Sequence, residues 1–151
     1  MKREELHQHI IEEAQDAIIF ADREGIIQLW NAGAETMFGY PPEEAVGQSL
    51  DLIIPEQLKA RHWEGYHKVM ATGVTRYGRE VLAVPAKCKD GTRISIEFTI
   101  IMLRDGADAV RGTAEIIRDI TTKWKKEKEI KERIAALEAK VASLEKAAND
   151  R

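Results

Sequence analysis

The segment Arg61–Gly91, RHWEGYHKVMATGVTRYGREVLAVPAKCKDG, places a histidine on a short helix that is followed by a loop and a strand. His62, Tyr66 and Val69 follow one another at spacings of four and three, so a helix presents them on one face. Gly73 stands where a left-handed helix cap needs glycine, and a run of β-type residues begins at position 81. A helix that ends beside a sheet leaves a slot between the two, and we expect the imidazole to point into it.

Composition limits what surrounds this segment. The chain has 151 residues, of which 44% are hydrophobic and 32% charged, and this predicts one domain of about 100–120 residues with an appendage. A net charge of -3 predicts no contact with nucleic acid or anionic lipid, because phosphate binding depends on clustered Lys and Arg. No apolar run reaches the roughly 20 residues of a membrane helix, and no signal-peptide core is present. Cys88 is the single cysteine, which excludes an intrachain disulfide, and we expect a cytoplasmic protein.

Upstream of the segment, the pattern predicts a lead-in helix, a strand pair and short helices. We assign residues 1–13 to an N-terminal amphipathic helix and residues 14–121 to the domain proper. Two apolar β-type runs, 17–21 and 25–30, are separated by a turn composition that fits a hairpin. Asn31 caps the next helix, and a pair of prolines begins another helical turn.

Downstream of the segment, two more strands complete the sheet. Asp90-Gly91 is a hairpin signal, and the last strand, at 110–120, carries Ala114, Ile116 and Arg118 on one side. The strand between them has apolar residues at alternate positions, which we expect to face the core: Ile94, Ile96, Phe98, Ile100 and Met102. The prediction is an α+β domain, a five-stranded antiparallel sheet with short helices on one face.

The composition changes abruptly at the C-terminal segment, residues 122–151, where Lys, Glu and Ala predominate. Apolar residues recur at steps of four and three: Ile130, Ile134, Leu137, Val141 and Leu144. β-Branched residues at heptad position a with leucine at d favour a parallel two-stranded coiled coil, so we predict a homodimer. The alternative is a single solvated helix, because about three heptads form only a marginal coil alone.

Four phrases of the sequence resemble the PAS family. They are GIIQLWNAGAETMFGY at 25–40, EEAVGQSL at 43–50, KDGT at 89–92 and IIRDIT at 116–121. They occur in the order of two strands, three short helices and three strands, and the resemblance covers about residues 10–122. It implies the PAS fold, with the C-terminal coiled-coil helix as its output.

Within that family, the chain most resembles the heme-binding PAS domain of FixL-type oxygen sensors. His62 precedes Gly73 by 11 positions and Gly73 precedes Gly91 by 18, and both intervals match the FixL-type pattern. The resemblance implies heme b with His62 as the proximal ligand of the iron, and Lys68 and Arg76 stand where such proteins hold the propionates. A neutral imidazole in an apolar slot suits this chemistry. The slot would be lined by Tyr66, Val69, Leu82, Val84, Ile94, Ile96, Phe98 and Ile100.

The chain departs from the family pattern on the distal side of the expected heme. Leu82 stands where FixL-like domains have the arginine that steadies bound oxygen, and Glu80 where phosphodiesterase relatives have a methionine. An apolar distal side discriminates less in favour of O2 over CO, unless Arg79 or another side chain turns in, so the sequence does not select the gas. His67 projects about 100° around the helix from His62; it is a second-choice ligand and we expect it to be exposed.

The sequence predicts a sensory and signal-transducing module without catalysis of its own. It contains no catalytic triad, phosphate loop or cluster of metal ligands at enzyme spacing. A diatomic gas or a redox change would act in the slot, and Asp119, Ile120 and Thr121 would pass the change from the sheet to the C-terminal helix. The alternatives are a cofactor-free or metabolite-binding module, a structural dimeriser and an oxygen-handling enzyme. The downstream signalling protein cannot be identified from the sequence, nor can whether the regular C-terminal tail is natural or engineered.

Overall fold

A computed structural model describes residues 1–75 and 80–151 of the chain. It divides into two units, Met1–Asp119 and Ile120–Arg151, each of which is described by itself. Arg76 and Arg79, which were considered above as heme neighbours, lie outside the described residues. No helix in the described part of the chain combines the length and the apolar composition that crossing a membrane requires.

The first unit is an antiparallel sheet with helices inserted after its second strand. Its strands lie in the order β2-β1-β5-β4-β3. The elements are α1 Arg3–Glu13, β1 Ala17–Asp22, β2 Ile27–Trp30, α2 Ala32–Phe38, α3 Pro42–Ala45, 3-10 turns at Leu50–Leu52 and Glu56–Leu58, α4 Lys59–Thr72, β3 Leu82–Lys87, β4 Arg93–Arg104 and β5 Val110–Asp119. The predicted fold is confirmed. The sequence predicts a β-type run over residues 81–84, whereas β3 begins at Leu82 and continues to Lys87.

Short capping interactions place the helices. The amide of Ala34 donates to the Asn31 side chain, which caps α2, and Gly39 ends that helix in the left-handed conformation. Gly73 ends α4 in the same way, with φ of 67°, as the sequence predicts. Only glycine adopts this conformation without a steric cost, so the chain leaves α4 at a defined point.

The strand register separates the two faces of the sheet. Directly opposed residues share a face, so the pairs Ile19–Glu115 and Glu115–Ile100 lie on one face. That inner face, which packs against the helices, contains Ala17, Ile19 and Ala21 of β1, Thr113, Glu115 and Ile117 of β5, Ile96, Phe98, Ile100 and Met102 of β4, and Leu82, Val84 and Ala86 of β3.

The second unit is a single helix, α5, which spans Thr121–Asn149. Its apolar heptad residues are exposed along their stripe: Ile130, Ile134, Leu137, Val141 and Leu144. An isolated helix leaves such a stripe in water, and the same stripe is the surface that a coiled coil would bury.

Candidate functional site

Helix α4 places the candidate ligand His62 one turn before Tyr66. The two rings are neighbours, with centroids 5.7 Å apart, as the spacing of four predicts. Tyr66 and Met70 are buried, whereas His62 and Val69 are half-buried. The face of α4 that the sequence identifies therefore does point inward.

The imidazole of His62 has a buried nitrogen without a hydrogen-bond partner. In the described parts of the chain, Nδ1 is shielded from solvent and no donor or acceptor reaches it. Burial lowers the pKa of His62, His67 adds to that lowering, and the charge of Asp51 opposes it. The ring is thus held neutral, and one of its nitrogens is available to a ligand.

Trp63 fixes the position of this histidine, a role that the sequence did not reveal. Its ring meets His62 edge-on at 4.7 Å, and its Nε1–H donates to Asp51 Oδ1 at 2.7 Å. The far edge of the ring lies against Gly25, where a side chain would overlap it. His67 stacks on Trp63 with ring centroids 5.9 Å apart and is exposed, as expected for the second-choice ligand.

The predicted apolar slot corresponds to the part of the inner face formed by β3 and β4. Ile96 is buried there, but most of its neighbours are only half-buried, and Val84 on the edge strand is 38% exposed. We call these incompletely covered residues the open wall: Leu82, Val84, Ile94, Phe98, Ile100 and Met102. The open wall has apolar surface that the described residues do not fill.

Two polar side chains interrupt the inner face in the adjacent strand, β5. Thr113 is buried, and its hydroxyl donates to Glu115 Oε1 at 2.8 Å. Burial raises the pKa of Glu115 to about 7, although the bond from Thr113 acts in the opposite direction. Neither residue stands out in the sequence, but the alternation that puts Ala114 and Ile116 on one side of β5 puts Thr113 and Glu115 on the other.

The remaining predicted site residues are more dispersed. Lys68 is exposed on α4, and Arg76 lies outside the described residues. The residues predicted to couple the sheet to the C-terminal helix lie where β5 ends, at Asp119, and where α5 begins, at Thr121. The carbonyl oxygen of Ile120 accepts a hydrogen bond from the amide of Trp124 at 2.8 Å. Within residues 1–75 and 80–151, no group of three His, Cys, Asp or Glu side chains is arranged so that it could hold a metal ion.

Sequence comparisons relate the chain to sensor proteins of bacteria. A sequence model of the PAS fold family matches residues 5–120. The sensor protein FixL of Bradyrhizobium diazoefficiens is 30% identical over 115 residues, which make up 74% of this chain and 22% of FixL. The cell-division control histidine kinase PdhS of Brucella ovis is 32% identical over 123 residues, 80% of this chain and 11% of PdhS. The chain thus spans less than a quarter of the length of these relatives.

Structural comparisons agree on the fold. The PAS domain of a protein from Colwellia psychrerythraea superposes with a TM-score of 0.70 at 24% identity, covering 80% of this chain and 99% of that one. An RNA-binding light-oxygen-voltage receptor superposes with a TM-score of 0.71 at 17% identity, covering 88% of this chain and 37% of the receptor. At these identities the similarity concerns the fold alone.

Proposed function

Since the chain belongs to the PAS family, which accounts for residues 5–120, we propose that it is a sensory module whose slot beside His62 binds heme b. The observation that carries this proposal is the buried His62 Nδ1 without a partner. A buried nitrogen that lacks a hydrogen bond is costly, and a bound group that approaches the ring would remove that cost. Two relatives are named as a sensor protein and a histidine kinase, which supports a role in signalling.

The residues around His62 fit a heme in their chemistry. A neutral imidazole is a common axial ligand of heme iron, and the open wall offers apolar surface for the macrocycle. Lys68 is exposed on the helix that carries His62, where a cation can meet a propionate. The iron would supply reversible binding of a diatomic gas or a change of redox state. The chain's own part is to keep the imidazole neutral and to exclude water from it.

The decisive experiment compares two histidines of the same helix. The protein, His62→Ala and His67→Ala are each mixed with hemin, and the Soret absorbance is followed to saturation. We expect a stoichiometric Soret band for the protein and for His67→Ala, and its loss or a strong blue shift for His62→Ala. Of these two histidines, His62 is the one with a buried nitrogen that no described residue hydrogen-bonds. A protein without a Soret band, or a His62→Ala variant with an unchanged one, would refute heme binding through this residue.

The output of the module is proposed to be a parallel homodimer through α5. Its apolar stripe is exposed on the isolated helix and has the heptad pattern of a two-stranded coil. A change in the slot would move β5, and Asp119, Ile120 and Thr121 would transmit the movement to α5. The downstream signalling partner is not specified by any described residue.

Cysteine crosslinking tests this output. In a Cys88→Ser background, Leu137→Cys lies at a d position and Ala139→Cys at an outward f position. We expect Leu137→Cys to form a disulfide-linked dimer, Ala139→Cys to remain monomeric, and the rate of crosslinking to change when hemin is added. Equal crosslinking at the two positions contradicts the coiled coil, and an unchanged rate contradicts the coupling.

A second candidate function is a cofactor-free interaction module. The α5 stripe favours it, because that apolar surface is available whatever the slot contains. This candidate predicts dimerisation in light scattering together with an absence of Soret absorbance after hemin is added. The heme and crosslinking experiments therefore distinguish the two candidates.

A further inference from the structure

The C-terminal end of α4 is held by two arginine side chains from other parts of the chain. A helix leaves its last carbonyl oxygens unpaired, and they form the negative end of its dipole. The Nη2 of Arg23 donates to the carbonyl of Met70 at 3.3 Å. The Nη2 of Arg104 donates to the carbonyl of Gly73 at 2.5 Å. A Cβ at Gly73 would approach the Arg104 guanidinium to 3.2 Å, so the glycine that ends the helix also gives this arginine room.

Both arginines also bind the hairpin that joins β4 to β5. The Nη1 of Arg23 donates to the carbonyl of Val110 at 2.7 Å. The Nη1 of Arg104 donates to the carbonyl of Asp108 at 3.1 Å. Each guanidinium thus bridges one carbonyl of α4 and one carbonyl of the hairpin, which its planar set of N–H donors suits. We call these two bridges, made by Arg23 and Arg104, the arginine joint.

The hairpin side of the joint has a defined backbone geometry. The Asp105 carboxylate accepts from the amides of Ala107 and Ala109, at 2.9 and 3.0 Å. Asp108 lies in the left-handed region with φ of 64°, which is uncommon for a residue other than glycine. The carbonyl that accepts from Arg104 therefore belongs to a turn whose own hydrogen bonds fix its direction.

The two halves of α4 are attached to different parts of the fold. The C-terminal half is bonded to the sheet, since the Tyr66 hydroxyl donates to the carbonyl of Asp22, the last residue of β1, and the arginine joint follows. In the half that carries His62, the Nε1–H of Trp63 donates to Asp51, which lies in a 3-10 turn outside the sheet. The helix is thus fastened to the sheet at one end, and the candidate ligand lies towards the other.

We propose that Arg23 and Arg104 are positioning residues that make α4 and the start of β5 one mechanical unit. Val110 is the first residue of β5, so a tilt of α4 that begins at His62 is delivered through the arginine joint to that strand. β5 ends at Asp119, where the coupling residues begin. The inference rests on the proposed function, because it names the route by which the slot acts on β5.

The charge of the arginines does not by itself explain this arrangement. Any cation near the C-terminal end of a helix stabilises that end, and a lysine would serve. Arg23 and Arg104 instead divide their donors between the helix and the hairpin. Arg111, in the same hairpin, pairs with Asp105 at 2.6 Å and provides a matched control that leaves the joint intact.

The test releases the N-terminal half of α4 and measures whether the hairpin responds. Asp51→Ala removes the acceptor of Trp63 without changing either arginine. The backbone amide resonances of Ala109 and Val110 report on the hairpin, and no hemin is added. We expect both resonances to shift in Asp51→Ala, and we expect the shift to be lost when the same substitution is made in a protein that lacks the arginine joint.

Three arginine variants define that comparison. Arg23→Met combined with Arg104→Met removes the joint, and amide exchange in the last turn of α4 should become at least about tenfold faster. Arg111→Met should retain both the slow exchange and the response to Asp51→Ala. Each single variant of the joint should retain roughly half of the response, so the test does not depend on the folding of the double variant.

Lysine variants separate geometry from charge. Arg23→Lys combined with Arg104→Lys keeps two cations at the end of α4 but loses the planar set of donors, so it should behave like the methionine variant. With hemin, the methionine variant should keep its Soret band, while the rate of Leu137→Cys crosslinking no longer changes.

A hairpin response that persists without both arginines would overturn the proposal. So would lysine variants that behave like the unaltered protein, or a crosslinking rate that still responds to hemin without the arginine joint. Absence of a Soret band would refute heme binding instead, and the response of the hairpin to Asp51→Ala, measured without hemin, then decides whether the joint couples α4 to β5.

Discussion

The inner face of one sheet is closely packed at β1 and incompletely covered at β3 and β4. Ala17, Ile19 and Ala21 of β1 have no accessible surface, whereas Phe98 and Ile100 of β4 are half-buried. β1 is apolar at each of residues 17–21, whereas β4 alternates apolar and polar residues from Ile94 to Ile100, and the register puts Ile19 and Ile100 on the same face. The comparison teaches that an apolar residue on the inner face is fully buried only where the rest of the fold covers it.

The packed half is closed by small residues and by one asparagine. Gly33 of α2 lies so close to the backbone of Asp16 that a Cβ would overlap its carbonyl oxygen. Asn31 accepts from the amides of Ile18 and Ala34. Its Nδ2 donates to carbonyl oxygens that end α1 and lead into β1, those of Ile11, Ala14 and Asp16. No side chain that the structure describes joins the open wall to the helices with a comparable set of hydrogen bonds.

The largest effect should come from making the same substitution in both halves. Phe38 is fully buried and packs on Trp30 with ring centroids 5.6 Å apart, so Phe38→Ala should lower the free energy of unfolding by about 3–5 kcal/mol. Phe98→Ala removes the same atoms from the open wall, where part of the ring is already in contact with solvent, and should cost about 1–2 kcal/mol. Urea unfolding followed by circular dichroism measures both values.

Equal costs for these two variants would show that the open wall is closed in solution. Adding hemin sharpens the comparison, because a ligand on the open wall stabilises the protein in proportion to its binding and should do so less well in Phe98→Ala. Phe38→Ala should keep the full stabilisation by hemin if it still folds.

The next effect concerns the clamp of the packed half. Asn31→Ala leaves buried amides and carbonyls without the partner that joins α1, β1 and α2, so we expect a loss of about 2–4 kcal/mol. Gln48→Ala, an exposed amide in the turn after α3, serves as the control and should change stability by less than about 0.5 kcal/mol. The measurement is again urea unfolding, and a loss of only about 1 kcal/mol in Asn31→Ala would mean that Asn31 acts as a helix cap and nothing more.

The sequence predicted local features of both halves and missed the contacts that distinguish them. The predicted caps at Asn31 and Gly73 are local, because a cap involves residues within one helical turn. The five bonds of Asn31, by contrast, reach residues as many as 20 positions away, and no periodicity carries that information. Trp63 against Gly25 depends in the same way on how α4 lies over the β1–β2 turn.

The candidate site shows the same division between local and tertiary information. Helical spacing identified the inward face of α4, and the rings of His62 and Tyr66 are neighbours as predicted. The alternation of β5 was also recognised, but that Glu115 lies opposite Ile19 of β1 and Ile100 of β4 follows from the pairing of distant strands, which only tertiary structure supplies. Heme binding, the homodimer and the coupling through Asp119–Thr121 remain predictions.

The smallest expected effect on stability is that of replacing the candidate ligand, His62. His62→Leu replaces a half-buried ring, whose Nδ1 has no partner among the described residues, by an apolar side chain of similar size. Without hemin, the change should be neutral or stabilise the fold by up to about 1 kcal/mol, because an unpaired buried nitrogen is removed. His67→Leu, at an exposed position of the same helix, provides the control for a change of helix propensity alone. A loss of more than about 2 kcal/mol in His62→Leu would mean that the imidazole is needed for folding, and a gain coupled with loss of the Soret band would mean that it is kept for a ligand.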